Sequence, residues 1–175
     1  MKINNKDKNI VLIGFMGSGK TSVGKRLSLV LKREFIDTDD FIEKREGMTI
    51  NEIFKVKGEE EFRKIERELY KRFSIPKKKI IATGGGVIKN SANIANLKKG
   101  GVIVYLKSSP EKIAQNLKFD NTRPILQVDD KEAKIRELLA QREPFYNKYA
   151  EITIDVSNYD IDHTVDKIIE LAKVW

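Results

Sequence analysis

Apolar residues in this chain form two kinds of pattern that alternate along its length. Five short and mostly apolar runs predict buried β-strands at residues 9–13, 34–37, 80–83, 101–106 and 152–155. Between these runs, apolar residues recur at every third or fourth position, which predicts amphipathic α-helices. Strands that alternate with helices indicate an α/β fold, in which a parallel sheet is covered on both faces.

The longest helical pattern extends from Phe41 to Phe73, between the second and third predicted strands. Gly47 and Gly58 interrupt this pattern, so we expect two or three helices rather than one. We expect the insertion, residues 38–73, to form a small helical lobe over the edge of the sheet.

The remaining helices are shorter and follow the other strands. Four are predicted at residues 23–31, 92–97, 132–149 and 161–175, and another begins at Ser109-Pro110. Serine suits the N-cap of that helix and proline its first position. The polar stretch at residues 118–130 contains Arg123-Pro124 and predicts a loop.

The composition suits a single globular domain over residues 1–175, with 40% apolar and 34% charged residues. The chain has no cysteine, which excludes disulfide bonds and thiolate chemistry. No apolar run has the length of a membrane span, and no N-terminal export signal is present. We therefore expect a cytoplasmic monomer without a membrane partner.

The net charge of +8 arises from 34 basic and 26 acidic side chains. Such an excess suits either a nucleic acid or small anionic substrates. The basic residues are spread along the chain, and their only tight run, Lys77–Lys79, lies in a predicted loop. Neither a guanine-reading Asn-Lys-x-Asp nor a basic-aromatic RNA motif occurs, which argues against a nucleotide switch or a nucleic-acid-binding module. We expect small anionic substrates and no nucleic-acid partner.

The stretch Gly14–Thr21 matches the template G-x-x-x-x-G-K-[ST] at every fixed position, and it lies between a predicted strand and a predicted helix. Its glycines let backbone N–H groups turn toward a phosphate, and the helix N-terminus adds further donors. Lys20 can reach the β- and γ-phosphates, and the Thr21 hydroxyl can bind Mg²⁺. The motif predicts a nucleoside triphosphate site.

Two further signals follow strands directly, namely Asp37 with Asp39 and the triple glycine Gly84–Gly86. Because ligands bind at the carboxyl ends of parallel strands, we expect both signals beside the phosphate loop. If strand geometry persists past Asp37, the two aspartates share a direction. One carboxylate can then face the metal while the other orients an acceptor hydroxyl and takes its proton. The alternative is an acidic turn, or Asp40 as the cap of the next helix.

Three arginines are candidates for binding an acidic substrate: Arg63, Arg123 and Arg142. The planar guanidinium group grips a carboxylate with two hydrogen bonds, and Glu66 can hold Arg63 in place. An ordinary surface charge is the alternative for each of the three. A run of three glycines costs chain entropy, so Gly84–Gly86 indicates a close approach of the backbone to a ligand, with a flexible turn as the alternative.

Taken together, these motifs resemble those of the shikimate kinases, in order along nearly the whole chain. The matching segments are Gly14–Thr21, Asp37–Asp39, Glu61–Glu66, Thr83–Gly86, Thr122–Leu126 and Arg142–Tyr146. The resemblance implies ATP-dependent phosphorylation of the 3-hydroxyl group of shikimate, in the route to chorismate and the aromatic amino acids. It also implies a P-loop kinase fold like that of adenylate kinase. This fold is a three-layer α/β sandwich with a central five-stranded parallel sheet, a substrate-binding lobe (38–73) and a mobile lid (118–130).

On the nucleotide side, the resemblance implies that ATP is bound by Gly17, Ser18, Gly19, Lys20, Thr21, Ser22 and Arg123. It implies that Thr21 binds Mg²⁺ directly and that Asp37 holds it through water. Arg123 would ride on the lid and close on the transferring phosphoryl group. Lys20, Asp39 and Arg123 would thus be the catalytic residues.

On the acceptor side, the resemblance implies that Asp39 binds the hydroxyl groups of shikimate and acts as the base. Arg63 and Arg142 would clamp its carboxylate, with Glu66 bracing Arg63. The remaining shikimate contacts implied are Gly84, Gly85, Gly86, Phe54 and Phe62.

The chain departs from the family pattern around the adenine. Asn116 stands where many family members have an arginine that stacks on this base, and Val156–Tyr159 replaces a basic segment that contacts it. The adenine contacts and the choice between ATP and GTP therefore stay open. The nearest alternative is another small-molecule kinase such as a gluconate kinase, whose acceptor is also a carboxylate. Asp37–Asp39, Arg63 and the triple glycine favour shikimate.

Overall fold

A five-stranded sheet forms the centre of the computed structural model, which describes residues 5–174. The strands are β1 (Asn9–Ile13), β2 (Phe35–Asp37), β3 (Ile80–Ala82), β4 (Gly101–Lys107) and β5 (Ile152–Asp155). Their order across the sheet is β2-β3-β1-β4-β5, and all neighbouring strands are parallel. The predicted α/β fold with a five-stranded parallel sheet is confirmed. Residues 1–4 and Trp175 of the predicted domain lie outside the described part of the chain.

Seven α-helices connect or follow these strands within residues 5–174. They are α1 (Lys20–Leu31), α2 (Thr38–Glu46), α3 (Ile50–Arg72), α4 (Ser91–Gly100), α5 (Pro110–Asn116), α6 (Lys131–Tyr149) and α7 (Ile161–Ala172). Short 3-10 helices lie at Asn5–Asp7, Val87–Lys89 and Pro124–Leu126. Across the described residues, no helix combines the length and the apolar character that crossing a membrane requires.

The sheet separates two apolar layers, which explains why its central strands read as continuous apolar runs. All five residues of β1 are buried. Val11 and Ile13 pack in the layer that contains buried side chains of α3, α4 and α6. Ile10 and Leu12 pack on the opposite face, with buried side chains of α1 and α7. Alternate residues of a strand point to opposite faces, so both faces of β1 need apolar side chains.

The register of the sheet brings the three predicted signals to one edge. Leu12 of β1 and Asp37 of β2 both pair with Ala82 of β3. The phosphate loop begins two residues after Leu12, and the triple glycine begins two residues after Ala82. The predicted convergence of these segments at the carboxyl ends of the strands is confirmed.

The lobe after β2 consists of α2 and α3, and two glycines divide it as predicted. Gly47 adopts a left-handed conformation and ends α2. Thr49 then starts α3 with a capping box, in which its side chain and that of Glu52 each bond the other residue's backbone N–H. Gly58 interrupts α3 with φ 85° and ψ 163°, so the insertion has three helical segments.

The start of α2 corrects two expectations about the acidic segment. The helix begins at Thr38, directly after β2, so strand geometry does not persist to Asp39. Asp37 caps this helix, because its Oδ1 accepts the backbone N–H groups of Asp39 and Asp40 at 3.1 and 3.3 Å. The alternative in which Asp40 caps the helix is therefore wrong. The first turn is polar and carries no apolar periodicity, which is why the pattern placed the helix start three residues too late.

Candidate active site

The loop Gly14–Thr21 links β1 to α1 and has the conformation that its glycines permit. Gly17 and Gly19 have φ values of 76° and 89°, in the left-handed region. A Cβ on Gly17 would lie 2.7 Å from Cγ of Leu117, so a side chain does not fit at this position. No side chain caps α1 at Gly19, which leaves the N–H groups of its first turn to bind an anion.

Lys20, the first residue of α1, folds back over the phosphate loop. Its Nζ donates hydrogen bonds to the carbonyl oxygens of Gly14 at 2.7 Å and Phe15 at 2.9 Å. Burial lowers the pKa of Lys20 to about 8, and the positive charge of Arg123 acts in the same direction. Phosphate oxygens are stronger acceptors for an ammonium group than these neutral carbonyls. The lysine is thus already positioned at the place where the loop would hold a phosphate.

Thr21 and Asp37 form a hydrogen-bonded pair of oxygen-bearing side chains in the cavity that Lys20 also lines. The Thr21 hydroxyl donates a hydrogen bond of 2.8 Å to Oδ2 of Asp37. Because Oδ1 of Asp37 caps α2, the carboxylate cannot rotate freely. Hydroxyl and carboxylate oxygens are the ligands that Mg²⁺ prefers, usually together with substrate phosphates and water.

Asp39 lies on the first turn of α2 and faces the triple glycine. Burial, together with the negative charges of Asp37 and Glu66, raises the pKa of Asp39 to about 6, against the attraction of Lys20 and Arg123. A carboxyl with a pKa close to neutrality can both accept and release a proton at physiological pH. Such a group suits proton transfer better than an ordinary exposed aspartate.

Arg63 is fixed by a buried acid and two aromatic rings. Its Nη1 donates a hydrogen bond of 2.7 Å to Oε2 of Glu66, which is only 2% exposed. Its guanidinium carbon lies 5.1 Å from the ring centre of Phe62 and 5.9 Å from that of Phe54. Burial raises the pKa of Glu66, while the charge of Arg63 opposes this shift. The ordinary surface pair weighed as an alternative is wrong for this arginine, since its partner is in the interior.

The three glycines after β3 each make room for a different charged side chain. A Cβ built on Gly84 would lie 2.9 Å from Oδ1 of Asp39. A Cβ on Gly85 would lie 3.5 Å from Nη1 of Arg142, and one on Gly86 would lie 3.3 Å from Nη1 of Arg63. The glycines therefore let one carboxylate and two guanidinium groups approach the same stretch of backbone. The flexible-turn alternative does not account for this packing.

Arg142 projects from α6 and connects the glycine segment to the phosphate loop. Its guanidinium carbon lies 5.4 Å from the ring centre of Phe15, which belongs to that loop. Arg142 is half-buried, as is Arg63. Two partly desolvated arginines beside Gly85 and Gly86 create a site that favours a carboxylate.

Arg123 lies in the polar segment 118–130, which is more ordered than a plain loop. Its Nε donates to Oδ2 of Asp120 at 3.4 Å, and the buried Leu126 anchors the 3-10 helix that follows. Nζ of Lys131 donates hydrogen bonds to the carbonyl oxygens of Leu117 and Asp120. Lys131, the first residue of α6, therefore links that helix to the turn between Leu117 and Asp120.

Two cavities meet at the phosphate loop. The smaller, of about 230 Å³, is lined by Met16, Gly17, Gly19–Ser22, Asp37, Asp39, Thr83–Gly85, Leu117 and Arg123. The larger, of about 730 Å³, is lined by Gly17–Gly19, Ser22, Val23, Ser108, Lys112, Asn116, Val156, Tyr159–Asp162 and Thr164. Gly17, Gly19 and Ser22 line both of them. A ligand that spans the loop can therefore occupy both cavities at once.

The larger cavity contains the two segments that depart from the family pattern. Nδ2 of Asn116 donates a hydrogen bond of 2.8 Å to the carbonyl oxygen of Gly17, so this side chain is already bound to the loop. Lys112 and Tyr159 line the cavity as well. The hydroxyls of Ser18 and Ser108 are buried there, and neither has a hydrogen-bond partner among the described residues.

Some site residues were not predicted from the sequence. Tyr146 is fully buried, and its hydroxyl donates a hydrogen bond of 2.8 Å to the carbonyl oxygen of Gly85. Thr38 and Tyr70 are buried beside Gly84, whose N–H donates to the Thr38 hydroxyl at 3.2 Å. Buried aromatic residues at helical spacing indicate only a core, so their hydroxyl groups left no separate signal in the sequence.

Comparison with known proteins identifies one family over nearly the whole chain. The family model described as Shikimate kinase matches residues 16–173. A shikimate kinase of Caldanaerobacter subterraneus subsp. tengcongensis is 51% identical over 162 residues, which cover 93% of this chain and 94% of the relative. A second relative, the shikimate kinase of Thermoanaerobacter pseudethanolicus, is 46% identical and covers 93% of this chain and 95% of its own length.

Solved structures agree with the sequence relatives. The structure of shikimate kinase from Acinetobacter baumannii in complex with shikimate has a TM-score of 0.89 at 39% identity, and the match covers 97% of this chain and 95% of that one. A gluconokinase from Sinorhizobium meliloti has a TM-score of 0.54 at 15% identity, which shows a shared fold alone.

Proposed function

The chain belongs to the shikimate kinase family and catalyses the ATP-dependent phosphorylation of the 3-hydroxyl group of shikimate, and we propose that the transfer takes place where the two cavities meet. One observation carries this proposal. The segment Gly84–Gly86 gathers a carboxylate base and two guanidinium groups around one stretch of backbone, beside the phosphate loop. A hydroxy acid that receives a phosphoryl group needs both kinds of side chain close together.

Arg63 and Arg142 are proposed to bind the carboxylate of shikimate. Each lies against one glycine of the segment, and each is held by an aromatic ring. Glu66 fixes the guanidinium of Arg63, so little side-chain entropy is lost when the substrate binds. Phe54 and Phe62 pack against each other with their ring centres 4.8 Å apart and would cover the apolar face of the shikimate ring.

Asp39 is proposed to accept the proton of the 3-hydroxyl group. The hydroxyl oxygen forms a bond to the γ-phosphorus, the bond from that phosphorus to the β–γ bridging oxygen breaks, and ADP leaves. The proton of the hydroxyl passes to Asp39 during this transfer. The pKa of about 6 keeps Asp39 ionised at neutral pH while leaving it basic enough to take the proton.

Lys20 and Arg123 are proposed to neutralise the charge of the transferring group. Both line the smaller cavity together with Asp39. Phosphoryl transfer depends on positioning and charge neutralisation more than on covalent help from the protein. Residues 118–130, which carry Arg123, are proposed to act as a lid that excludes water and so limits hydrolysis of ATP.

Mg²⁺ is proposed to bind beside Thr21 and Asp37, whose paired hydroxyl and carboxylate oxygens fit the preference of this cation. Within residues 5–174, no cluster of three or more acidic, histidine or cysteine side chains could hold a metal. The proposed site therefore relies on Thr21, Asp37, phosphate oxygens and water. When bound, Mg²⁺ would neutralise phosphate charge and favour departure of ADP.

The adenosine part of ATP is proposed to occupy the larger cavity. Asn116 holds the carbonyl of Gly17, so it would support the phosphate loop rather than stack on the base. The ring of Tyr159 and the alkyl chain of Lys112 offer the flat and apolar surfaces that a base needs. This contact set suits any purine, and ATP is assigned from the family.

The cellular setting follows from the reaction. We propose that the enzyme works as a monomer in the cytoplasm, where ATP is available, without a membrane or nucleic-acid partner. The helical lobe at residues 38–73 and the lid at residues 118–130 would both belong to the single domain.

A coupled ADP-release assay tests the proposed function. We expect ADP release to depend on shikimate, and to stay at the buffer level with gluconate or nucleoside monophosphates. Turnover with gluconate that equals the turnover with shikimate would contradict the assignment. The gluconokinase likeness is limited to the fold, so it gives no support to that second acceptor.

A further inference from the structure

The triple glycine is the part of the site whose backbone most needs support from outside. Glycine has the greatest conformational freedom of any residue, so three in a row leave two peptide planes free to rotate. The N–H groups of Val87 and Lys89 bind the carbonyl oxygens of Gly84 and Gly86, at 3.1 and 3.0 Å. These bonds are made within the turn that follows. Neither of these two bonds involves the carbonyl oxygen of Gly85.

The partner of the Gly85 carbonyl oxygen is the hydroxyl of Tyr146, which donates to it at 2.8 Å. The C=O and N–H groups of a trans peptide point in opposite directions, so this bond also fixes the direction of the Gly86 N–H. The same peptide lies between two guanidinium groups, because Arg142 packs at Gly85 and Arg63 packs at Gly86. The orientation of the Gly85–Gly86 peptide therefore affects any ligand that is bound by Arg142 and Arg63.

Tyr146 is well placed to keep this peptide still. It is fully buried, and its ring stacks on that of Tyr105 with ring centres 5.0 Å apart and an angle of 22°. It lies on α6 one turn after Arg142, so one rigid element carries both the guanidinium and the hydroxyl. Burial raises the pKa of Tyr146 to about 12, against the positive charge of Arg142 and a hydrogen bond between Arg142 and the tyrosine oxygen, so the hydroxyl keeps its proton and remains a donor.

We propose that Tyr146 is a positioning residue for shikimate, whose hydroxyl fixes the Gly85–Gly86 peptide between Arg142 and Arg63. The proposal rests on the function proposed above, since it assigns these groups to the shikimate site. Tyr146 itself is fully buried and lines neither of the two cavities. Its hydroxyl should therefore control affinity for shikimate and leave affinity for the nucleotide unchanged.

The neighbouring Tyr105 provides a matched control within the same stacked pair. Its side chain is also buried, but its hydroxyl has no hydrogen-bond partner within the described part of the chain. Tyr146→Phe and Tyr105→Phe each remove one buried oxygen and keep the ring. Only the first of them removes a bond to the glycine segment.

The test compares the two variants with the wild-type enzyme by calorimetry and steady-state kinetics. In Y146F we expect the Kd and KM for shikimate to rise about five-fold, as for the loss of one hydrogen bond, with the Kd for ADP unchanged. In Y105F both affinities should stay at the wild-type values. Equal shikimate affinity in the two variants would overturn the proposal, and so would an equal loss of shikimate and ADP affinity in Y146F.

Hydrogen exchange gives a second measurement that does not depend on turnover. Amide exchange in residues 84–89 should be faster in Y146F than in Y105F, because the Gly85 carbonyl oxygen loses its hydrogen bond to the tyrosine hydroxyl. Identical exchange in both variants would also overturn the proposal. A failure of the proposed function is distinguishable, because it would appear in the wild-type enzyme as ADP release that does not respond to shikimate.

Discussion

At the scale of single residues, burial alters the chemistry of the charged groups that face the smaller cavity. It raises the pKa of Asp39 to about 6 and lowers that of Lys20 to about 8. Both shifts bring a proton-transfer equilibrium close to the pH of a cell. Glu66, although buried, is paired with Arg63 and so serves to hold a charge in place.

Asp39→Asn should separate catalysis from stability. We expect kcat to fall about 100-fold or more, since the amide cannot accept the proton of the hydroxyl. The wild-type rate should decline below pH 6 as Asp39 becomes protonated, and the variant should lack that decline. A pH–rate profile of both enzymes is the measurement, and an unchanged kcat at pH 8 would contradict the role of Asp39 as base.

The same variant should be more stable than the wild type at neutral pH. The raised pKa means that the folded state binds the proton of Asp39 more tightly than the unfolded state does. This carboxyl therefore lowers the free energy of unfolding as the pH rises from about 4 to about 6, by up to about 3 kcal/mol. Thermal unfolding at pH 7.5 should show a higher midpoint for D39N, and a lower midpoint would be the opposite result.

Arg63→Lys should weaken shikimate binding alone. A lysine places a point charge where the guanidinium offers two parallel donors, so we expect the KM for shikimate to rise about ten-fold or more. The KM for ATP should not change. Arg67→Lys, at an exposed position one turn further along α3, is the matched control and should resemble the wild type. An equal loss of affinity for both substrates would instead assign Arg63 a structural role.

At the scale of elements, the sequence predicted what depends on local pattern and missed what depends on tertiary contact. Strands, glycine breaks and the phosphate loop each have a periodicity or a template, and they appear where predicted. The start of α2 was misplaced, because its first turn is polar and is set by the Asp37 cap. The bond from Tyr146 to Gly85 joins residues 61 positions apart and has no local signature.

The glycine segment after β3 gives a prediction at this scale. In Gly84→Ala, the new methyl group would lie 2.9 Å from Oδ1 of Asp39 and must displace that carboxylate. We expect kcat to fall roughly ten- to a hundred-fold, because small shifts of a reacting group have large effects. Gly85→Ala is the control for kcat at saturating shikimate, since its methyl group meets Arg142 at an ordinary 3.5 Å. Equal kcat values for the two variants would contradict the steric argument.

At the scale of the whole molecule, the two cavities communicate but are built from different elements. The larger one lies between the phosphate loop, α5 and the start of α7, and the smaller one extends toward β2, β3 and the segment that carries Arg123. Each ligand should therefore stabilise the fold on its own. At a hundred times its Kd, a ligand adds about 2.7 kcal/mol, which for a domain of this size raises the unfolding midpoint by roughly 5–10 °C.

Lys20→Ala should remove only one of these two effects. We expect the shift of the unfolding midpoint with ADP to shrink and the shift with shikimate to persist, because Lys20 is the residue proposed to bind the phosphates. Turnover should become very low in the same variant. Thermal unfolding with each ligand measures this directly, and near-normal turnover would remove the phosphate loop from the proposed mechanism.

The break at Gly58 divides α3 into two segments, and both of them place side chains in the interior. The buried Ile53 and the ring of Phe54 lie before the break, and Phe62, Arg63 and Glu66 follow it. Bending at a position that already lacks helical geometry disrupts few backbone hydrogen bonds. We therefore expect any bending of α3 to concentrate at Gly58, between the ring of Phe54 and the anchor that Glu66 provides for Arg63.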